Sequence, residues 1–170
     1  DISIQFTALK DPNLLTLNLL EPVAGETSFP VLGEKEILVD SSSASLGYKP
    51  GDMVLVEFEN GKRRELKVAG YIHDVTGNPF SFTKIMNTYV TPKTLDWLGG
   101  TQYYDILMIS VSENQTDQKH VTEVAQSVAD RLKRAGAEVY FVYIFRPGHH
   151  FAWPYVQGIF FILGILGYLT

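Results

Sequence analysis

The chain has 170 residues, 45% of them hydrophobic and 19% charged, with a net charge of −5 and no cysteine. That length supports one domain, or two small subdomains sharing a core. The missing cysteines exclude disulfides, cysteine-ligated zinc and thiol catalysis. An acidic chain whose longest basic cluster is Lys62-Arg63-Arg64 is also a poor partner for nucleic acid.

Residues 1–35 carry weak signals. "DISIQFTALK" alternates apolar and polar residues through Ile2, Ile4 and Phe6, which suggests a strand. "LLTLNLLEP" is apolar but aperiodic, and "VAGETSFPVLGEKE", with Gly25, Pro30 and Gly33, reads as loop. From Glu36 the pattern sharpens. "EILVD" is a short strand. "SSSASLG" suits a short helical turn with serine capping and Gly47 closing it. "YKPGD" is a turn.

"MVLVEFENGKRRELKVAGYI" reads as a β-hairpin whose register follows from parity. A two-residue Asn60-Gly61 turn puts Val54, Val56 and Phe58 on one face with Arg63, Glu65 and Lys67. A three-residue loop, Glu59-Asn60-Gly61, pairs Val54 with Leu66 and keeps Val68 on the apolar face. The second arrangement is expected, with Gly61 left-handed in a bulge and Arg64 opposite Val56 as its cost.

"HDVTGNPFSFTKIM" is loop-like, and its Phe80 and Phe82 either plug the edge of the core or form an exposed binding element. "NTYVTP" is a strand, and Pro92 opens a short helix, "KTLDWLGG". "DILMISVS" and "AEVYFVYIF" read as strands around the clearest helix. In that helix Val121, Val124, Ala125, Val128 and Leu132 recur at helical spacing, Thr116 or Asp117 caps the start and Gly136 stops it. The fold class is α+β: a β-rich part over 36–90 with the hairpin, and a βαβ part over 105–145 with a right-handed crossover.

Beyond Arg146 the chain has no Lys, Arg, Asp or Glu. The apolar core of this end, Gly158 to Leu169, has no polar face to offer water. It also holds Gly158, Gly164 and Gly167, which each cost about 1 kcal/mol relative to Ala in a soluble helix but are frequent in membrane helices. Trp153 and Tyr155 stand where interfacial aromatics belong. Residues 151–170 are therefore expected to be a linker and the start of a transmembrane helix, cut from a longer membrane protein; the bland alternative is a C-terminal core element.

Motifs for chemistry are sparse. His73, His120, His149 and His150 lack the spacing that places two metal ligands on one helical face, so no metal site is expected. The Ser41-Ser42-Ser43 run has no evident base partner. There is no nucleophile elbow and no glycine-rich phosphate loop, so no catalytic residue and no cofactor is assigned.

Taken in order, "ILVDSSSASLGYKPGDMVLVEFENGKRRELKVAGYIHDV", "YVTPKTLDWLGG" and "RPGHHF" before the apolar run resemble the extracytoplasmic domain of bacterial ABC transporter permeases of the FtsX/MacB-like type. The resembling features are Leu46-Gly47, Gly51-Asp52 and Val68-Ala69-Gly70, and the likeness covers residues 36–170. It implies a MacB-like periplasmic core with a porter-like βαβ lobe, on the outer side of a bacterial plasma membrane. It implies a cytosolic ABC ATPase subunit as partner, a permease dimer, a cargo or outer protein of unspecified identity, and no catalysis in this domain. Arg146, Pro147, Gly148, His149 and His150 would be the coupling linker, with Trp153 and Tyr155 at the membrane interface. Two other classes compete: a membrane-tethered binding or sensor module without an ATPase, and a histidine-dependent metallohydrolase. An adjacent ATPase gene favours the first reading, and bound metal in the purified protein favours the last.

Overall fold

A computed structural model describes residues 2–17, 19–101, 103–144 and 153–168. The chain divides into two compact units, Asp1–Met108 and Ile109–Thr170.

The first unit is a six-stranded mixed sheet. Its strands are β1 (Ser3–Ala8), β2 (Leu20–Pro22), β3 (Glu36–Asp40), β4 (Met53–Glu57), β5 (Arg63–Asp74) and β6 (Ile85–Val90). The order is β1-β6-β3-β5-β2, and β4 pairs with β5 as well. β1 runs parallel to β6, and β3 parallel to β5; the other pairs are antiparallel. The first 35 residues thus supply two strands of the same sheet that holds the hairpin.

β3 is buried on both faces. Ile37 and Val39 point into one core with Val54, Val56, Leu66, Val68, Met86 and Val90. Leu38 points the opposite way, into a smaller core with Leu9, Leu20, Ile72 and Tyr89. Such a strand reads as a continuous apolar run rather than as an alternation. The larger core is roofed by helix α2 (Pro92–Leu98) through Leu95, Trp97 and Leu98. Loop residues Leu15, Phe29 and Leu32 cover the smaller one.

The β4–β5 hairpin has the register that parity demands. Val54 faces Leu66 and Val56 faces Arg64. Phe58 N–H donates to Lys62 O at 2.9 Å, leaving Glu59, Asn60 and Gly61 as the loop. Gly61 has φ +75°, the left-handed conformation that a glycine adopts without a Cβ clash.

β5 carries a second irregularity that the alternation did not reveal. Ile37 lies opposite Val68, but Leu38 lies opposite Gly70, so Ala69 is an extra residue. The bulge shifts the strand's phase. Leu66 and Val68 enter the larger core before it; beyond it Tyr71 does so, while Ile72 enters the smaller one. A Cβ on Gly70 would stand 2.6 Å from Pro30 Cγ.

Around the sheet, a 3-10 turn over Ser41–Leu46 is closed by Gly47 at φ +83°. Its cap is Asp40, not a serine: Ser42 N–H donates to Asp40 Oδ2 at 3.2 Å. An acceptor already fixed in a strand serves the turn better than a hydroxyl inside it. The stretch read as loop around Phe80 contains one helical turn, α1 (Phe80–Thr83), with Phe80 half-buried and Phe82 exposed. α2 starts at its proline, with Thr91 as cap and Gly99 left-handed at its end.

The second unit holds α3 (Gln118–Arg134) and α4 (Trp153–Tyr168). Asp117 caps α3, accepting from Lys119 N at 2.9 Å and His120 N at 3.3 Å. The expected βαβ arrangement is corrected here: among the described residues neither 105–112 nor 137–144 is a strand. The period-two pattern that suggested strands is present, but no neighbouring strand supplies the ladder that makes it one. Ile106, Leu107, Tyr140 and Phe141 are exposed as a result. α4 has 16 residues, a rise of about 24 Å against a hydrocarbon thickness of ~30 Å. No helix among the described residues is long and apolar enough to cross a membrane.

Gly70→Ala is expected to lower the urea midpoint by the equivalent of about 1–3 kcal/mol, because the Pro30 ring cannot rotate away from the new methyl. Adding Pro30→Ala should recover part of the loss. A midpoint unchanged by Gly70→Ala would show that the contact does not constrain the strand.

Candidate functional site

Two places in the sheet unit gather polar or charged side chains at defined geometry. The first lies where β3 and β5 end. Asp40 is buried, and its Oδ1 accepts from Asp74 N at 3.0 Å. Its Oδ2 accepts from both the backbone and the hydroxyl of Ser42, and Ser42 Oγ accepts from Phe80 N at 3.0 Å. Asp74 in turn receives Thr76 N, Thr76 Oγ1 and Gly77 N on Oδ1, and the Tyr89 hydroxyl on Oδ2. Burial and the Asp74 carboxylate push the Tyr89 phenol far above its ordinary range.

Both carboxylates are thereby occupied in tying three segments of backbone together. His73 meets Ser41, Nδ1 to Oγ 3.3 Å, at the exposed edge of this cluster. A serine and a histidine at contact distance are two parts of a nucleophilic arrangement. Asp40 and Asp74, the nearest carboxylates in sequence, are committed to the backbone, and although Glu21 lies opposite His73 across β2 and β5, no carboxylate hydrogen-bonds the imidazole to orient it as a base among the described residues. Ser43 Oγ is buried without a hydrogen-bond partner among the described residues. The network is a structural clamp.

The second place is a groove of about 380 Å³ lined by Phe6, Phe58, Lys62, Arg64, Trp97 and Leu98. Arg64 lies with Cζ 5.1 Å from the centroid of the Trp97 ring, and Lys35 has Nζ 5.0 Å from it. These are cation–π distances. Parity alone made Arg64 an awkward neighbour for Val56; the indole beyond it gives the guanidinium a surface to stack on. Lys35 is held just as firmly by its backbone. It has φ +58°, a left-handed conformation costly for a residue with a Cβ. Its N–H donates to the buried Thr94 Oγ1 at 2.9 Å, and its carbonyl accepts from Lys67 N at 3.0 Å. Neighbouring charges are already paired. Lys67 Nζ reaches Glu36 at 2.7 Å and holds that carboxyl below its usual range, with help from Gly33 N–H. Lys93 pairs with Glu34.

Of the residues singled out from sequence, Arg146, Pro147, Gly148, His149 and His150 lie outside the described residues. Trp153 and Tyr155 occupy the first turn of α4, Tyr155 being strongly exposed. His120 caps nothing and sits in the first turn of α3. Among the described residues, no three histidine or carboxylate side chains converge as metal ligands. The Trp97 groove was not anticipated. Its sequence signal, one Trp in a short helix and basic residues in a hairpin, is indistinguishable from ordinary packing until the two elements meet.

Tyr89→Phe is expected to cost about 1.5–3 kcal/mol at neutral pH, since it leaves a carboxylate oxygen short of a donor. The raised phenol pKa also fixes a sign. The contribution of neutral Tyr89 is complete below the unfolded tyrosine pKa of about 10 and is lost above it, by about 1.4 kcal/mol per pH unit. Urea titrations between neutral and strongly alkaline pH should therefore show wild type losing its advantage over Tyr89→Phe; parallel curves would contradict the assignment. No protein-family model, no curated protein and no solved structure matches this chain.

Proposed function

We propose that the chain is the extracytoplasmic part of an ABC transporter permease, one that passes ATP-driven motion from the membrane to a cargo or protein outside it. α4 is the observation that carries the reading. Its consecutive residues Ile159, Phe160, Phe161, Ile162 and Leu163 are all exposed. At 100° per residue these five cover every direction around the axis, so the helix has no side suited to water. An apolar surroundings on all sides is what lipid supplies. The order of turn and strand features from Glu36 to Gly70 supports the same family.

In this reading α3 and its two flanking apolar stretches form the lobe completed by the rest of the permease. An added strand would give the exposed Ile106–Ile109 and Tyr140–Tyr143 stretches both hydrogen bonds and cover. Residues 146–150 would be the segment through which the membrane helix pulls on the domain.

The first test is depth. Single cysteines at Ile159, Leu163 and Leu166 of the full-length protein should resist a membrane-impermeant thiol reagent in intact cells, while cysteines at Glu57 and Thr76 react. Reaction along α4, with the protein extractable without detergent, would remove the permease reading. The second test is coupling. Gly148→Pro should leave ATP hydrolysis by the complete transporter intact while lowering transport severalfold; unchanged transport would show that the segment does not transmit motion.

A further inference from the structure

The groove beside Trp97 has a chemical character opposite to that of the molecule around it. The chain carries −5 net charge, yet the groove joins an apolar floor, Phe6, Phe58 and Leu98, to Lys62 and Arg64, and Lys35 stands over the same indole. None of these three cations forms an ion pair with a described residue, whereas Arg63, Lys67 and Lys93 close by each hold a glutamate. Arg64 donates only to the neighbouring Arg63 carbonyl, at 3.3 Å, among the described residues. The cations are also placed rather than loose. Lys35 keeps an unfavourable left-handed backbone, fixed by Thr94 and Lys67, and its ammonium and the Arg64 guanidinium both rest on the indole. Stacked cations lose less conformational freedom on meeting an anion than solvated ones do.

We infer that this groove docks an acidic segment of a partner protein, with one aromatic or aliphatic side chain seated against Phe6, Phe58 and Trp97 and flanking carboxylates on Lys62 and Arg64, in the positive field that Lys35 adds from the same indole. Apolar area supplies the anchor and the unpaired cations supply charge complementarity, the division found in peptide grooves that read acidic motifs. The inference concerns the sheet unit alone and stands whether or not the chain belongs to a permease.

The test uses the whole chain with Trp153→Phe, which leaves Trp97 as the only tryptophan. The probe is a short synthetic peptide with a single Phe among Glu and Asp residues, compared with the same peptide carrying Gln and Asn. Trp97 fluorescence should saturate with the acidic peptide and not with the neutral one. Affinity should fall at least about fivefold between low salt and ~0.3 M salt, as expected for charges only partly shielded from solvent. Lys62→Gln with Arg64→Gln should weaken binding by a similar factor. Lys35→Asn is a second variant that keeps a residue tolerant of the left-handed backbone and removes only the charge. Equal binding of the neutral peptide, or unchanged affinity in both charge variants, would overturn the inference. So would tighter titration by phosphatidylglycerol vesicles than by the peptide, which would assign the groove to a lipid surface.

Discussion

The sheet unit depends on one strand having two insides. β3 is five residues long, and its side chains from Ile37 to Asp40 are all buried, alternately into two separate cores. A strand in that position cannot slip. A shift of one residue would drive Asp40 into the larger apolar core and expose it to none of the donors that satisfy it. The polar end of β3 is therefore as much a register device as its apolar middle. Asp40 ties its own 3-10 turn to the end of β5, and Asp74 and Tyr89 carry the tie across to β6. Apolar burial sets which strands are neighbours, and the carboxylates set where each one stops.

What could be read from residues alone follows from how local each cause is. Hairpin parity, the proline start of α2, the spacing of α3 and the glycine at each helix end depend on residues a few positions apart, and each has the geometry expected of it. β1 showed its alternation but not its partner. The bulge at Ala69 was hidden because two half-patterns of opposite phase, joined without a gap, look like one imperfect strand. The cap at Asp40 was misassigned to serine because both residue types cap well and only the fold decides which is fixed first. Residues 105–112 and 137–144 are the plainest failure: alternation states that a segment can be a strand, but a ladder needs a second segment at hydrogen-bond distance. The groove at Trp97 was illegible for the same reason, since it exists only where β1, the hairpin loop and α2 converge.

The two kinds of polar cluster in this unit behave in contrasting ways. At the β3–β5 end, Asp40 is buried and Asp74 half-buried, and both carboxylates accept several donors that hold them in place. Beside Trp97, Arg64 is half-buried and Lys35 exposed, both stand over the ring, and neither forms an ion pair among the described residues. Saturation is what a scaffold requires, and unmatched charge held in place is what a surface for recognition requires. The same sheet provides both because its large core needs a roof, and the roofing helix brings an indole to the rim.

The pairing of β1 with β6 sets the order in which the molecule can be made. Ser3 pairs with Ile85, and the partnership runs on to Ala8 and Val90. The earliest strand of this sheet is thus completed by its latest, β6. At synthesis rates of about 5–20 residues per second, Ile4 and Phe6 wait on the order of ten seconds without the neighbour that buries them. The hairpin and β3 are fully synthesised during that interval, and β1 is left as an apolar strand awaiting capture. High sequence separation of this kind slows folding even when stability is ordinary. In a living cell, β1 is consequently the strand of this sheet that most needs shelter while the strands after it are being built.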